Sequence, residues 1–241
     1  MDTFVFLLKY IPLATFCYLV CGIIHELGHI IVGILHGWKL YILLVGPFGI
    51  KRNDKEKLVF YLEKNPVLWG GVGGTVPVAE NRDNLKIFSI ILLGGPIASI
   101  ITGIVFSAIC YFHFNLFWLL LGLMSTSMGI ACLLPGKTGI GYTDGKRWRR
   151  FRKGGQDGAE EKALFKMMQF YQFGKDKSTI KKEDFEALLD AKLPALRYYG
   201  YYYLYQYYNA QNDTENKSKT LTILQDIKKD VPKIIIDDCK L

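Results

Sequence analysis

Between positions 10 and 36 the chain has no Lys, no Arg, no Asp and a single Glu. That rules out an ordinary surface helix. The run is also longer than the roughly 20 apolar residues that a bilayer crossing takes. Cysteine is scarce and odd in number. Of Cys17, Cys21, Cys110, Cys132 and Cys239, four fall in apolar runs, which speaks against a disulfide framework. The N-terminus lacks a basic n-region, and its apolar run continues straight into the helix that carries His25 to His29, so no cleavable signal peptide is expected.

What is present divides the chain in two. Half of the 241 residues are hydrophobic, and these cluster in the first 135 positions. The rest has the composition of soluble protein. The expected organisation is a membrane-embedded domain over 1–150 and a helical domain over 151–241. The net charge of +8 is uneven, with Lys146, Arg147, Arg149, Arg150, Arg152 and Lys153 within eight residues. Directly after an apolar run, such a cluster marks the inner side of a membrane and a contact with anionic lipid. No recognition motif for nucleic acid accompanies it, so nucleic acid is not an expected partner.

The expected fold class is an α-helical polytopic membrane protein. Three core spans lie at about 10–36, 86–112 and 115–134. Between the first two, residues 37–85 hold β-prone runs at 40–45, 58–62 and 72–78, separated by Gly-Pro, Asn-Asp and Gly-Gly breaks, and predict a small sheet at the membrane surface. Pro12 is placed in the opening turn of the first span; the alternative splits 1–36 into two short helices at Pro12. The tail predicts helices at 157–173, 181–190, 195–209 and 214–229, with breaks at Gly174, Pro194 and Asn212-Asp213. Eight tyrosines between positions 198 and 208 crowd one of them. They suit either a helical bundle with a tyrosine-rich face or stacked hairpins that bind a peptide.

Charge sets the expected orientation. The insert carries Lys39, Lys51, Arg52, Lys55, Lys57, Lys64 and Arg82, while the turn 113–115 has no Lys or Arg. The insert and the tail therefore belong inside, and the N-terminus outside.

Within the first span lies His25-Glu26-Leu27-Gly28-His29. His-Glu-x-x-His on a helix puts two imidazoles on one face, one turn apart, where both can bind one Zn²⁺ with the glutamate as general base. Ionisable groups at membrane depth are costly and are kept mainly where they pair, bind or do chemistry. His29 is eight residues before Gly37, roughly 12 Å of helix, which puts the motif in the inner half of the bilayer. Cys17 and Cys21 precede His25 at steps of four but read as small packing residues. His36 is two turns past His29, too far along one helix to share the ion. His113 falls on the opposite side. Asp144, in a glycine-rich segment after the third span, is the best third ligand from the residues alone; an ordinary Asp-Gly surface turn is the other reading. Gly136-Lys137-Thr138 is not a phosphate loop, because Ala131 stands where that motif needs glycine.

Together these residues resemble the site-2 protease family of intramembrane zinc metalloproteases. Three landmarks occur in order: His25-Glu26-Leu27-Gly28-His29, Gly95-Pro96, and Leu134-Pro135 followed by Asp144-Gly145. They cover roughly residues 10–150. The resemblance implies one zinc per chain held by His25, His29 and Asp144, with Glu26 as the base. It also implies a membrane-embedded or membrane-associated peptide or transmembrane-segment substrate, cut near the cytoplasmic side. The chain departs from the family in carrying Ser99 where asparagine is common, in a longer Pro-to-Asp spacing, in Thr143 where leucine is common, and in lacking a recognisable PDZ domain.

The chemistry expected is hydrolysis by zinc-activated water, with Glu26 moving the proton to the leaving nitrogen. An extended substrate segment can pair with a strand edge of the insert, with 72–78 as the candidate. The competing reading is a non-catalytic membrane protein that binds metal or peptide and recruits a partner through its tail. Glu26 favours the enzyme, since a structural zinc site needs no base.

Overall fold

The computed structural model describes residues 3–53, 55–79, 83–138, 141–172 and 181–239. Arg82, Phe173 and the break at Gly174 lie outside the described residues, as do Gly139 and Ile140. The chain divides into two compact units, Met1–Pro135 and Gly136–Leu241.

The first unit holds three long apolar helices and a sheet. Helix α1 runs Thr3–Leu35, α2 runs Asn84–Phe112 and α3 runs Leu116–Leu133. Within them Tyr10–Leu35, Asn84–Phe112 and Leu116–Leu133 are long and apolar enough to cross a membrane. This is a multi-pass membrane protein with three candidate spans. Helix α1 starts before the expected span, so Pro12 sits inside it rather than in its first turn, and the helix continues through.

Small residues let these helices approach closely, the usual solution where lipid leaves no hydrophobic drive between helices. A Cβ on Gly28 would stand 2.4 Å from the Gly94 carbonyl oxygen, and one on Gly129 would stand 2.7 Å from that of Pro96. Asn115 caps α3 by accepting the Phe117 N–H at 2.8 Å. Cys17 and Cys21 pack with Leu121 in an apolar cluster flanked by Phe106, Phe117 and Trp118.

The insert folds into a four-stranded antiparallel sheet in the order β3-β2-β1-β4. Its strands are β1 Lys39–Val45, β2 Phe48–Arg52, β3 Leu58–Leu62 and β4 Val72–Val76. Three of these match the expected runs, and β2 is additional. The Gly46-Pro47 pair is a two-residue hairpin turn with Gly46 at φ +58, and it sets Val45 opposite Phe48. Glycine at positive φ is what such a turn asks for. Strand β4 closes one edge of the sheet and packs on α1, where a Cβ on Gly33 would overlap the Thr75 side chain.

The second unit is helical: α4 Asp144–Lys153, α5 Gly155–Gln172, α6 Pro194–Ala210, α7 Thr214–Ile227 and α8 Lys233–Cys239. The segment expected as a helix at 181–190 forms two short 3-10 turns instead. Helix α6 is covered on two sides. Leu196 and Leu204 join Phe185 and Leu188 in one cluster, while Tyr198 and Tyr202 join Leu224, Ile227 and Ile235 in another. The tyrosines therefore include core residues.

Helix α4 is held by charge. Arg150 is buried, and its guanidinium bonds Asp157 and Glu161 at 2.9 Å each and also Glu160. Arg147 bonds Glu161 at 3.0 Å. The Arg150 guanidinium lies 4.4 Å from the centre of the Tyr142 ring. Burial works against ionised Asp157, but the Arg150 charge and the Lys153 hydrogen bond outweigh it and hold its carboxyl below the usual value. Three of the six basic residues in the expected lipid cluster, Arg147, Arg150 and Lys153, are thus engaged in internal ion pairs.

Candidate metal centre

His25, Glu26 and His29 lie on α1, all less than a tenth exposed. The helix brings the two imidazoles together as their spacing predicts: the ring centres are 5.1 Å apart and the planes are 80° to one another.

Helix α2 fixes both rings. His29 Nδ1 is 2.7 Å from the Ile91 carbonyl oxygen. A carbonyl only accepts, so the proton is assigned to Nδ1 and Nε2 keeps its lone pair. The Gly95 N–H makes a longer contact of 3.3 Å with the same Nδ1. The ring fits because position 95 is glycine, since a Cβ there would stand 2.3 Å from His29 Nε2. His25 Nδ1 is 3.0 Å from Ser99 Oγ, and Ser99 is fully buried. The Ser125 hydroxyl donates to the Ser99 carbonyl oxygen at 2.9 Å and lies 3.1 Å from Thr102 Oγ1. A ligating histidine commonly anchors its other nitrogen in this way, which sets tautomer and ring orientation.

Strand β4 lies against the glutamate. A Cβ on Gly71 would stand 2.5 Å from Glu26 Oε1, and one on Gly73 would stand 2.6 Å from Oε2. Gly71 is at φ +116, a backbone conformation that favours glycine. Gly73 in the edge strand and Gly71 just before it leave a notch, and the carboxylate occupies it. Near the C-terminal end of α3, Cys132 Sγ lies within 4.8 Å of a ring nitrogen of His25.

Asp144 belongs to the second unit, where it is the first residue of α4. A carboxylate suits a helix N-terminus. Just before it, the Gly136 N–H donates to Thr143 Oγ1 at 3.0 Å, and the Thr143 N–H donates to the Gly136 carbonyl at 3.2 Å. These bonds hold Gly136 and Thr143 together. His36 is exposed and bonds the Val32 carbonyl at 2.8 Å, a local helix-end contact. The family model described as Peptidase family M50 matches residues 13–237.

The chain belongs to peptidase family M50. This is the site-2 protease family, a family of zinc metalloendopeptidases. Neither the curated proteins nor the solved structures gave a match. Membership makes this M50 peptidase an intramembrane metalloprotease acting on a peptide substrate. The donor set fits zinc: two imidazoles whose Nδ1 atoms are engaged by α2, with a thiol beside one of them.

Three features of this region escape a linear reading. In the sequence Cys132 reads only as one cysteine of an apolar run, Gly71 as part of a break and Gly73 as part of a β-prone run, and Ser99 shows no partner. In each case the contact is between segments far apart in the chain. The substitution of serine for a commoner asparagine was the one signal available.

Proposed function

We propose that this M50 peptidase cuts a peptide embedded in, or lying against, the membrane near its cytoplasmic face. His25, His29 and Asp144 hold one zinc ion, and Glu26 is the base. The observation that carries the reading is the Glu26 carboxylate, one residue from His25, seated against Gly73 of edge strand β4 and against Gly71 just before it.

Zinc in such a site supplies Lewis acidity, which makes water easier to deprotonate and polarises a scissile carbonyl. Glu26 takes the proton from water on one oxygen and delivers it to the departing nitrogen. The Ile91 carbonyl keeps His29 in the tautomer that presents Nε2, and Ser99 holds the His25 ring through its Nδ1. Burial of all three motif side chains keeps bulk water from competing with the proton transfer. Strand β4 ends the sheet, so an extended substrate segment can add along it with main-chain hydrogen bonds. Such a segment runs directly past the Glu26 notch. A helical substrate must unwind there to expose its carbonyl.

Residues 1–150 form the catalytic part and residues 151–241 a cytoplasmic helical part. The lysines and arginines of the insert and of the 146–153 cluster, against none in the turn 113–115, support this orientation. Anionic lipid falls to the exposed Arg149 and Arg152.

The test compares new peptide N-termini in membranes carrying wild type or Glu26→Gln. Termini within or beside membrane segments, present only with wild type, are expected. Identical sets of termini would contradict the proposal. Proline scanning through 72–78 tests the strand-addition step separately, and unaffected cleavage counts against it.

A further inference from the structure

The five cysteines do not have equivalent surroundings. Cys17 and Cys21 sit in an apolar cluster, and the Cys21 thiol contacts the Leu121 carbonyl oxygen at 3.8 Å. Cys110 makes a similar contact with the Asn115 carbonyl oxygen at 3.8 Å. Cys132 stands apart from these, because its sulfur lies within 4.8 Å of a ring nitrogen of His25. Donors at about 2.0–2.3 Å from one tetrahedral ion stand about 3.5 Å apart, so the sulfur and the nitrogen lie within about 1.3 Å of that spacing.

We infer that Cys132 is a further zinc donor in the resting enzyme, a thiolate bound beside His25. The inference rests on the zinc reading of His25 and His29 given above.

Sulfur is a strong donor to zinc, and on binding the thiol releases its proton to solvent. Catalytic zinc ordinarily keeps three protein ligands and one open position. A thiolate in that open position closes the site to water, so the resting enzyme is latent. Cys132 is the penultimate residue of α3, where a small movement of the helix end withdraws the sulfur. Substrate entry that displaces this end opens the position for water. Alkylation of the thiol by an added reagent prevents its return, which leaves the site open rather than closed.

X-ray absorption at the zinc edge, on the full chain purified in detergent and loaded with zinc, decides the matter. Wild type should show one sulfur neighbour at about 2.3 Å beside nitrogen and oxygen neighbours at about 2.0–2.2 Å. The sulfur shell should vanish in Cys132→Ser while the zinc content stays the same. A second measurement needs only wild type: a small thiol reagent should label Cys132 slowly with zinc present and faster after chelation, with Cys17 and Cys21 unchanged. A nitrogen and oxygen shell alone in zinc-loaded wild type overturns the inference and leaves the histidine site standing. Absence of bound zinc from folded wild type overturns both. Zinc-independent labelling of Cys132 also counts against the thiolate.

Discussion

Glu26 and Gly73 are fitted to one another: a Cβ at position 73 would stand 2.6 Å from Glu26 Oε2 and 2.8 Å from the Glu26 backbone oxygen. The edge strand thereby fixes where the Glu26 carboxylate can sit. Gly73→Ala must push either the carboxylate or β4 away. Misplacement of a reacting group by about 1 Å costs on the order of 100-fold in rate. Gly73→Ala should therefore lose about that much cleavage while keeping its zinc, as read by cleavage rate and metal content on the same preparation. Unchanged cleavage would remove the notch from the mechanism.

Ser99 should act through His25. Its hydroxyl lies 3.0 Å from His25 Nδ1 in a fully buried position. Loss of such an outer partner typically weakens metal binding by about 10- to 100-fold. Ser99→Ala should show a shift of that size in a chelator competition titration. Ser99→Asn, which restores a polar partner, should recover part of it.

The second unit depends on Arg150. Arg150→Met leaves Asp157, Glu160 and Glu161 close together without their shared cation. Breaking a buried ion pair from one side costs about 3–5 kcal/mol. Hydrogen exchange of α4 and α5 in the full chain should accelerate strongly, with α1 to α3 little changed. Equal protection in variant and wild type would show that the ion pairs are not what holds α4.

The same network sets a pH response. The Asp157 carboxyl is held below its ordinary value because Arg150 and Lys153 outweigh the effect of burial. A group with a depressed folded-state value stabilises the fold above its unfolded value, about pH 3.9. That contribution is lost as pH falls through the folded value. Protection of α4 and α5 should thus be flat from neutral pH to about pH 4 and fall below it. Asp157→Asn should flatten this part of the decline.

Long-period features of the chain were legible before the structure. The three spans follow from apolar length, and the meeting of His25 with His29 follows from helical spacing. Strand β2 was hidden because Gly46-Pro47 reads as a break, although it is a hairpin turn joining two paired strands. Helix α4 was hidden for a different reason. Its Lys/Arg run has no apolar period, and the partners that stabilise it are acidic residues of the following helix. The segment 181–190 shows the opposite error, since helical spacing of apolar residues was satisfied by two 3-10 turns.

At the site, contacts within one turn of helix were legible and contacts between segments were not. His25 and Ser99 are 74 residues apart, and no local pattern links them. Glu26 with Gly73, and His25 with Cys132, are of the same kind. The bonds between Gly136 and Thr143 likewise leave no trace in the sequence.

The most direct test of the central claim is zinc content per chain in detergent-purified wild type, His29→Ala and Glu26→Gln. About one zinc is expected in wild type, as in a single catalytic site. His29→Ala should lose it, and Glu26→Gln should keep it while losing cleavage. Folded wild type that takes up no zinc, even after metal is added back, would contradict the account.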